Sequence, residues 1–302
     1  MMLGFALSLS AIRSGGASLP LDAIATTPTG AWSTRKLRAA YAGSALRVRR
    51  SSDSTEQDIG FSGNELDTAA LLTFCGAGNG FVVTWYDQSG NSRNVTNATA
   101  AQQPKIVSAG LLINAINGKP CILWDGVDDK LPSGIAASNF FSAGAYTSFG
   151  IMRPSAGTNA LECWNMRQII ADNGAFIAPI AFFDDGLGVT RLYGGHDPIT
   201  GLVDQGFVNI TYPENAVCLT KFTGSRIDVW KNGGTPGSDT VVTNIEALNN
   251  SLNLGATTMA QSFYSGHVIE VYTFNSALSV SECNVLGANL AAYAGVSWSD
   301  VS

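Results

Sequence analysis

An all-β fold, a single antiparallel sandwich of two sheets, is predicted from three observations. The chain carries 33 Gly against 17 Lys plus Arg, and only 13% of its 302 residues are charged, the composition of a turn-rich protein with a largely neutral surface. Short runs of β-branched and aromatic residues recur and stop at turn residues, as in Phe81–Tyr86 followed by Asp87-Gln88-Ser89-Gly90-Asn91. Asn117-Gly118 sits between two such runs, and both residues accept positive φ, which makes it the strongest short hairpin signal in the chain. With 45% hydrophobic residues the chain can bury a sizeable core.

Taken in order, residues 1–32 are expected to form an N-terminal docking arm and linker, and residues 33–302 the sandwich domain. In the arm, Leu3, Phe5, Leu7 and Leu9 alternate with smaller or polar residues. It lacks a basic leader segment, so it is read as a strand that docks on a partner rather than as a secretion signal. Ser33-Thr34 before RKLRAAYA predicts a short helix over 34–42. Ala45 to Arg50 alternates as a strand, and Leu66–Phe74 reads as a second helix. Leu111–Trp124 reads as the Asn-Gly hairpin. Further strands are expected at Tyr146–Met152, Ile169-Ile170, Phe176–Phe183, Val189–Tyr193, Ala216–Phe222 and Arg226–Lys231. Ser279 with Glu282 three residues on makes a capping box, opening a helix over 279–293 whose apolar positions are Val285, Leu286, Leu290 and Tyr293.

Several function classes are excluded by composition. The net charge of −6 and pI near 4.9 argue against nucleic-acid binding. No apolar run is long enough to span a membrane. Five cysteines, Cys75, Cys121, Cys163, Cys218 and Cys283, are odd in number and lack CxxC spacing, so buried free thiols are expected and no cofactor is. Six of the 17 basic residues fall between Arg35 and Arg50, and a solvated helix-and-strand face is the simpler reading than an anionic partner. Asp125, Asp128 and Asp129 are three carboxylates in five residues; they are a weak calcium candidate, since their spacing is not that of an EF-hand loop. His196 and His267 are expected to be hydrogen-bonded strand or loop residues. Asn94, Asn97, Asn209 and Asn249 begin N-x-S/T sequons, relevant only in a eukaryotic secretory setting.

The pattern of strand, YDQSGN, AxxxQP and strand between Gly80 and Val107 resembles the catalytic β-sandwich of fungal α-L-arabinofuranosidase B. It is more similar to the concanavalin A-like domains (laminin-G/lectin-like, jelly-roll) of bacteriophage structural proteins. Trp230-Lys231-Asn232-Gly233-Gly234 resembles the strand-to-turn VWxNG of such sandwiches, and Leu252–Gly295 resembles their closing strand and helix. In the arabinofuranosidase family a retaining mechanism needs a Glu nucleophile and an Asp acid/base. The resemblance sets the first opposite Ala181–Gly186, where Asp184 and Asp185 stand, and the second opposite Leu254–Met259, where no carboxylate stands. It therefore implies a protein that is not an enzyme. The expected role is structural or adhesive in a phage particle, as tail fibre, spike or head decoration. It would be an oligomer in the virion, assembled in the host cytoplasm, docked to other virion proteins through its arm. Trp85, Tyr86, Trp124, Trp164, Tyr193 and Trp230 are the candidates for stacking on surface glycans. The alternatives are a secreted, extracellular glycoside hydrolase of the α-L-arabinofuranosidase type and a cellular carbohydrate-binding module.

Overall fold

The structure, a computed structural model, describes residues 18–155, 167–172, 178–184, 190–196, 204–240, 251–256 and 263–302. The arm residues Leu3, Phe5, Leu7 and Leu9 lie outside these. Packed structure begins well before residue 33. Leu21 is buried, and β1 (Gly30–Ser33) places Ala31 and Trp32 in the core.

The first part of the chain is a run of short strands. These are β2 (Leu46–Arg50), β3 (Glu56–Ile59), the small β4 (Phe61–Ser62) and β5 (Glu65–Leu66) hairpin, helix α1 (Thr68–Cys75) and β6 (Gly80–Trp85). β7 (Val95–Thr96), β8 (Lys105–Ser108), β9 (Leu111–Leu112), β10 (Ile122–Asp125) and β11 (Leu131–Ala136) follow. Longer strands come next: β12 (Tyr146–Pro154), β13 (Arg167–Asp172), β14 (Ala178–Asp184), β15 (Thr190–His196), β16 (Asp204–Ile210), β17 (Ala216–Phe222) and β18 (Arg226–Lys231). The chain ends in β19 (Gly237–Thr240), β20 (Ser251–Leu254), β21 (Ser265–Phe274) and helix α2 (Val280–Ala294).

The strands form two large antiparallel sheets. The larger has thirteen strands along the path β19-β18-β17-β12-β21-β10-β8-β6-β2-β3, with β1, β7 and β9 attached to β21, β6 and β8. The smaller has six, in the order β11-β20-β13-β14-β15-β16. The two sheets face each other across one apolar core containing Trp85, Trp124, Tyr146, Ile180, Leu192 and Leu254. A second core lies on the other side of the larger sheet, where α2 packs Leu286, Leu290 and Ala294 on Phe149, Leu219, Ile269 and Tyr272. The fold class is thus as predicted: an all-β sandwich with two helices among the described residues.

Helix α2 matches its sequence signal. Ser279 Oγ accepts from the Glu282 amide, Glu282 reaches back to the Ser279 amide, and Gly295 closes the helix at φ 70°. Val285 is an exception: it is exposed, while Cys283 takes the inward position. The expected helix over 34–42 does not form. Its amides are claimed by distant acceptors: Thr34 by the Ile269 carbonyl, Lys36 by the Asn64 carbonyl, Leu37 by Gln88 Oε1 and Ala39 by Asp22 Oδ2. Tertiary bonds have overridden local helix propensity there. The Asn117-Gly118 turn is present, both residues at positive φ, and its arms are joined by the Ile116–Lys119 bridge and by the Cys121 amide donating to the Ile113 carbonyl, while β9 and β10 join other strands.

The YDQSGN stretch is a structural clamp. Asp87 is buried and accepts from the amides of Ala31, Ser89 and Arg93 and from Ser89 Oγ. Gln88, also buried, accepts from the Leu37 amide and donates to the carbonyls of Ser33 and Arg35. Two adjacent side chains thereby fix the irregular 31–37 segment to the end of β6. Arg35 then turns inward, its guanidinium forming a two-point pair with the fully buried Glu270 at 3.0 and 2.8 Å. Arg47 pairs with Asp58 and Arg50 with Asp53, so these basic residues serve the chain's own surface.

Candidate functional site

Strand register sets the acidic turn after β10 at the end of the sandwich where β20 finishes, and Asp184 farther along, three strands across the smaller sheet. Leu254, the last residue of β20, stands opposite Ala171 on β13 and opposite Leu131, the first residue of β11. Ala171 in turn faces Ile180 on β14. β14 and β20 therefore run in the same direction with β13 between them, and β14 continues four residues past the level of Leu254, from Ile180 to Asp184. The loop from β10 to β11 crosses between the sheets here, since Asp125 pairs with Ser265 at the start of β21. This loop carries Asp125, Asp128 and Asp129.

The loop is tightly held. Asp129 Oδ2 accepts from the Asp125 amide at 2.8 Å, and Asp125 Oδ1 accepts from the amides of Val127 and Asp128. Lys130 is tied by its amide to the Gln102 carbonyl and by its carbonyl to Asn97 Nδ2. The three carboxylates lie within 4.8 Å of one another, Asp125 exposed, Asp128 half-buried and Asp129 buried. Burial, reinforced by the charges of Asp125 and Asp128, pushes the Asp129 carboxyl up to about 7. A carboxyl in that range is part protonated at neutral pH, the property required of a proton donor. The same three oxygens could approach a cation, although much of their bonding capacity already goes to backbone amides of the turn.

The aromatic candidates divide by burial. Trp85, Trp124 and Trp230 are all core residues, at most 2% exposed, so the expectation that they stack on a glycan is corrected: a sugar arriving from solvent cannot reach them. Tyr86 is half-buried and donates its hydroxyl to Asp58. Trp164 and Asp185 lie outside the described residues, and the backbone alone places Asp184 and Tyr193, at the end of β14 and opposite Phe207 on β16. Phe207, missed in the sequence, is exposed on the open face of the smaller sheet, with the Arg191 guanidinium 4.4 Å from its ring centre. His267 is half-buried, and burial lowers its pKa, keeping it neutral. Cys75, Cys121, Cys218 and Cys283 are buried free thiols as expected, and Cys163 lies outside the described residues. No helix among the described residues is long and apolar enough to cross a membrane.

Comparison with known proteins defines the fold. The family model for the catalytic domain of α-L-arabinofuranosidase B matches residues 21–119. A GH54 α-L-arabinofuranosidase soaked with a cyclic sulfate inhibitor superposes with a TM-score of 0.65 at 17% identity, over 88% of this chain and 62% of that one. An arabinofuranosidase complexed with arabinofuranosyl-α-1,2-xylobiose gives 0.65 at 18% identity, over 91% and 64%. This chain thus spans a little under two thirds of the length of those enzymes. No curated protein matches it. The molecule is a β-sandwich of the arabinofuranosidase B catalytic-domain type. These findings overturn the expectation of a non-catalytic tail fibre, spike or head-decoration protein of a phage particle: both the family match and the solved relatives are carbohydrate-active enzymes, and nothing among them connects the chain to a virion. The reading that the chain is not an enzyme falls with it.

Proposed function

We propose that the chain is a glycoside hydrolase of the α-L-arabinofuranosidase type, releasing terminal arabinofuranosyl groups from a glycan. The observation that carries this reading is the match of residues 21–119 to the arabinofuranosidase B catalytic-domain model. Glycosidic cleavage of this kind uses two carboxyl groups, one to protonate the departing oxygen and one to attack or to activate water. The acidic turn supplies such a pair, since the carboxylate oxygens of Asp125, Asp128 and Asp129 lie within 4.8 Å of one another. In this reading Asp129, part protonated, is the donor, and Asp128, half-buried beside it, is the partner carboxyl. The assignment differs from the family arrangement in its residues, because the stretch after β20 carries no carboxylate.

The test is hydrolysis of an aryl α-L-arabinofuranoside and of arabinoxylan oligosaccharides by the full chain. Arabinose release is expected, with Asp128→Asn and Asp129→Asn each lowering kcat about 100-fold or more while the protein stays folded. Absence of release from every arabinofuranoside tried would sink the reading. Release that survives both substitutions would retain the activity and reject this pair of carboxyls.

A further inference from the structure

The two backbone segments that meet at this end of the sandwich, the end of β20 and the acidic turn after β10, are joined through a single ring. Trp124 is the residue immediately before Asp125; it is 1% exposed and sits opposite Gly266 on β21. Gly255 follows β20 directly and holds φ at +86°, and a Cβ added there would overlap the six-membered ring of Trp124. Glycine is therefore required at 255 for two reasons, the backbone angle and the flat approach to the indole. The Gly255 carbonyl accepts from the Tyr264 amide at 2.8 Å, and Ala256 bridges to Phe263, so the ring also sets where the chain returns toward β21. On the other side, Gly126 has φ +76°, and an added Cβ would stand 2.7 Å from Ser265 Cβ; the acidic turn rests directly on the start of β21. The Trp124 indole N–H has no hydrogen-bond partner among the described residues, so the ring acts here by its shape.

We propose that Trp124 is a positioning residue of the site, its indole forming the floor that holds the end of β20 and the acidic turn at a fixed separation. This inference rests on the glycosidase reading. A displacement of about 1 Å at a reacting group is enough to cost up to 100-fold in rate, which is what a fixed floor prevents.

The experiment compares wild type, Trp124→Phe, Gly255→Ala and the double variant on the aryl arabinofuranoside, with circular dichroism and a melting curve for each. Trp124→Phe is expected to lower kcat about tenfold with KM within about twofold and a native spectrum. Gly255→Ala is expected to lower kcat further. The double variant should lose less than the product of the two single losses, because the smaller ring vacates the space that the new methyl enters. Wild-type kinetics in Trp124→Phe, or single effects that simply multiply, would overturn the inference while leaving the glycosidase reading intact. A wild-type chain without hydrolytic activity would remove both. Should Trp124→Phe not fold, Gly255→Ala decides: a kcat loss at constant KM supports the inference and unchanged kinetics overturn it.

Discussion

The two sheets are built from the same kinds of residue and yet live in different surroundings. The central strands of the larger sheet are covered on both faces, by the smaller sheet on one side and by α2 on the other. Seven of the nine residues of β12, Tyr146 to Met152, are buried without a break. Among the described residues, the outer face of the smaller sheet is open at β16. On β15 and β16, Leu192, Gly194, Gly206, Val208 and Ile210 face the partner sheet, and Phe207 and Asn209 face solvent. The difference is one of division of labour: the doubly covered layer is scaffold, and what can meet a polymer in solution is the open face and the end beside it. The family match, at residues 21–119, falls on strands of the scaffold layer and its attachments.

Four measurements would break or sharpen that contrast. The largest effect is expected from Arg35→Met, which leaves Glu270 buried without its partner; removal of one member of a buried pair costs about 3–5 kcal/mol, read from denaturant unfolding. If stability instead holds, Glu270 is not isolated from water and the outer core is looser than described. Phe149→Ala, in the core beneath α2, should cost about 3–4 kcal/mol by opening a cavity on the scaffold's second face. A smaller change is expected at the open end. The Asp129 carboxyl is raised in the folded state above its value in the unfolded chain, so ionising it opposes folding. Its penalty is absent below about pH 4 and grows as pH rises through about 7. The melting temperature should therefore fall between pH 5 and pH 8, and Asp129→Asn should flatten that part of the profile. An unchanged profile in Asp129→Asn would mean that the loop is more open to water than its burial indicates. The smallest effect is expected from Phe207→Ala on the open face, within about 0.5 kcal/mol; a loss as large as that at Phe149 would show that this face is covered after all.

How much of this was legible in the sequence follows from the same contrast. Strands buried on both faces are written as continuous apolar runs, and Ala216–Phe222 and Arg226–Lys231 were predicted with the bounds they have in the structure. The capping box of α2 was readable because both partners lie within four residues. Strand β16, Asp204–Ile210, was missed: its inward position at Gly206 carries no side chain, because the Gly237 carbonyl lies where a Cβ would stand. The false helix at 34–42 has the opposite cause. Its propensity was sound, but the competing acceptors on Gln88, Asn64 and Ile269 are distant in sequence. The candidate site was legible only as fragments. Asp125, Asp128 and Asp129 were visible as a local cluster, but the meeting of their turn with the end of β20 depends on register through β11, which no local pattern encodes. The three tryptophans were misjudged as ligand contacts because a sequence does not reveal which layer a strand belongs to.

The Asp87-Gln88 clamp has a consequence for how chains of this shape are sorted. Asp87 bonds to the amides of Ala31, Ser89 and Arg93, and Gln88 to the backbone of Ser33, Arg35 and Leu37; none of these bonds goes to the acidic turn. A chain can therefore keep YDQSGN while exchanging every carboxylate at the working end. Likeness decided by that stretch groups molecules by how they are assembled; the acidic turn stands about 40 residues later, outside the reach of those bonds.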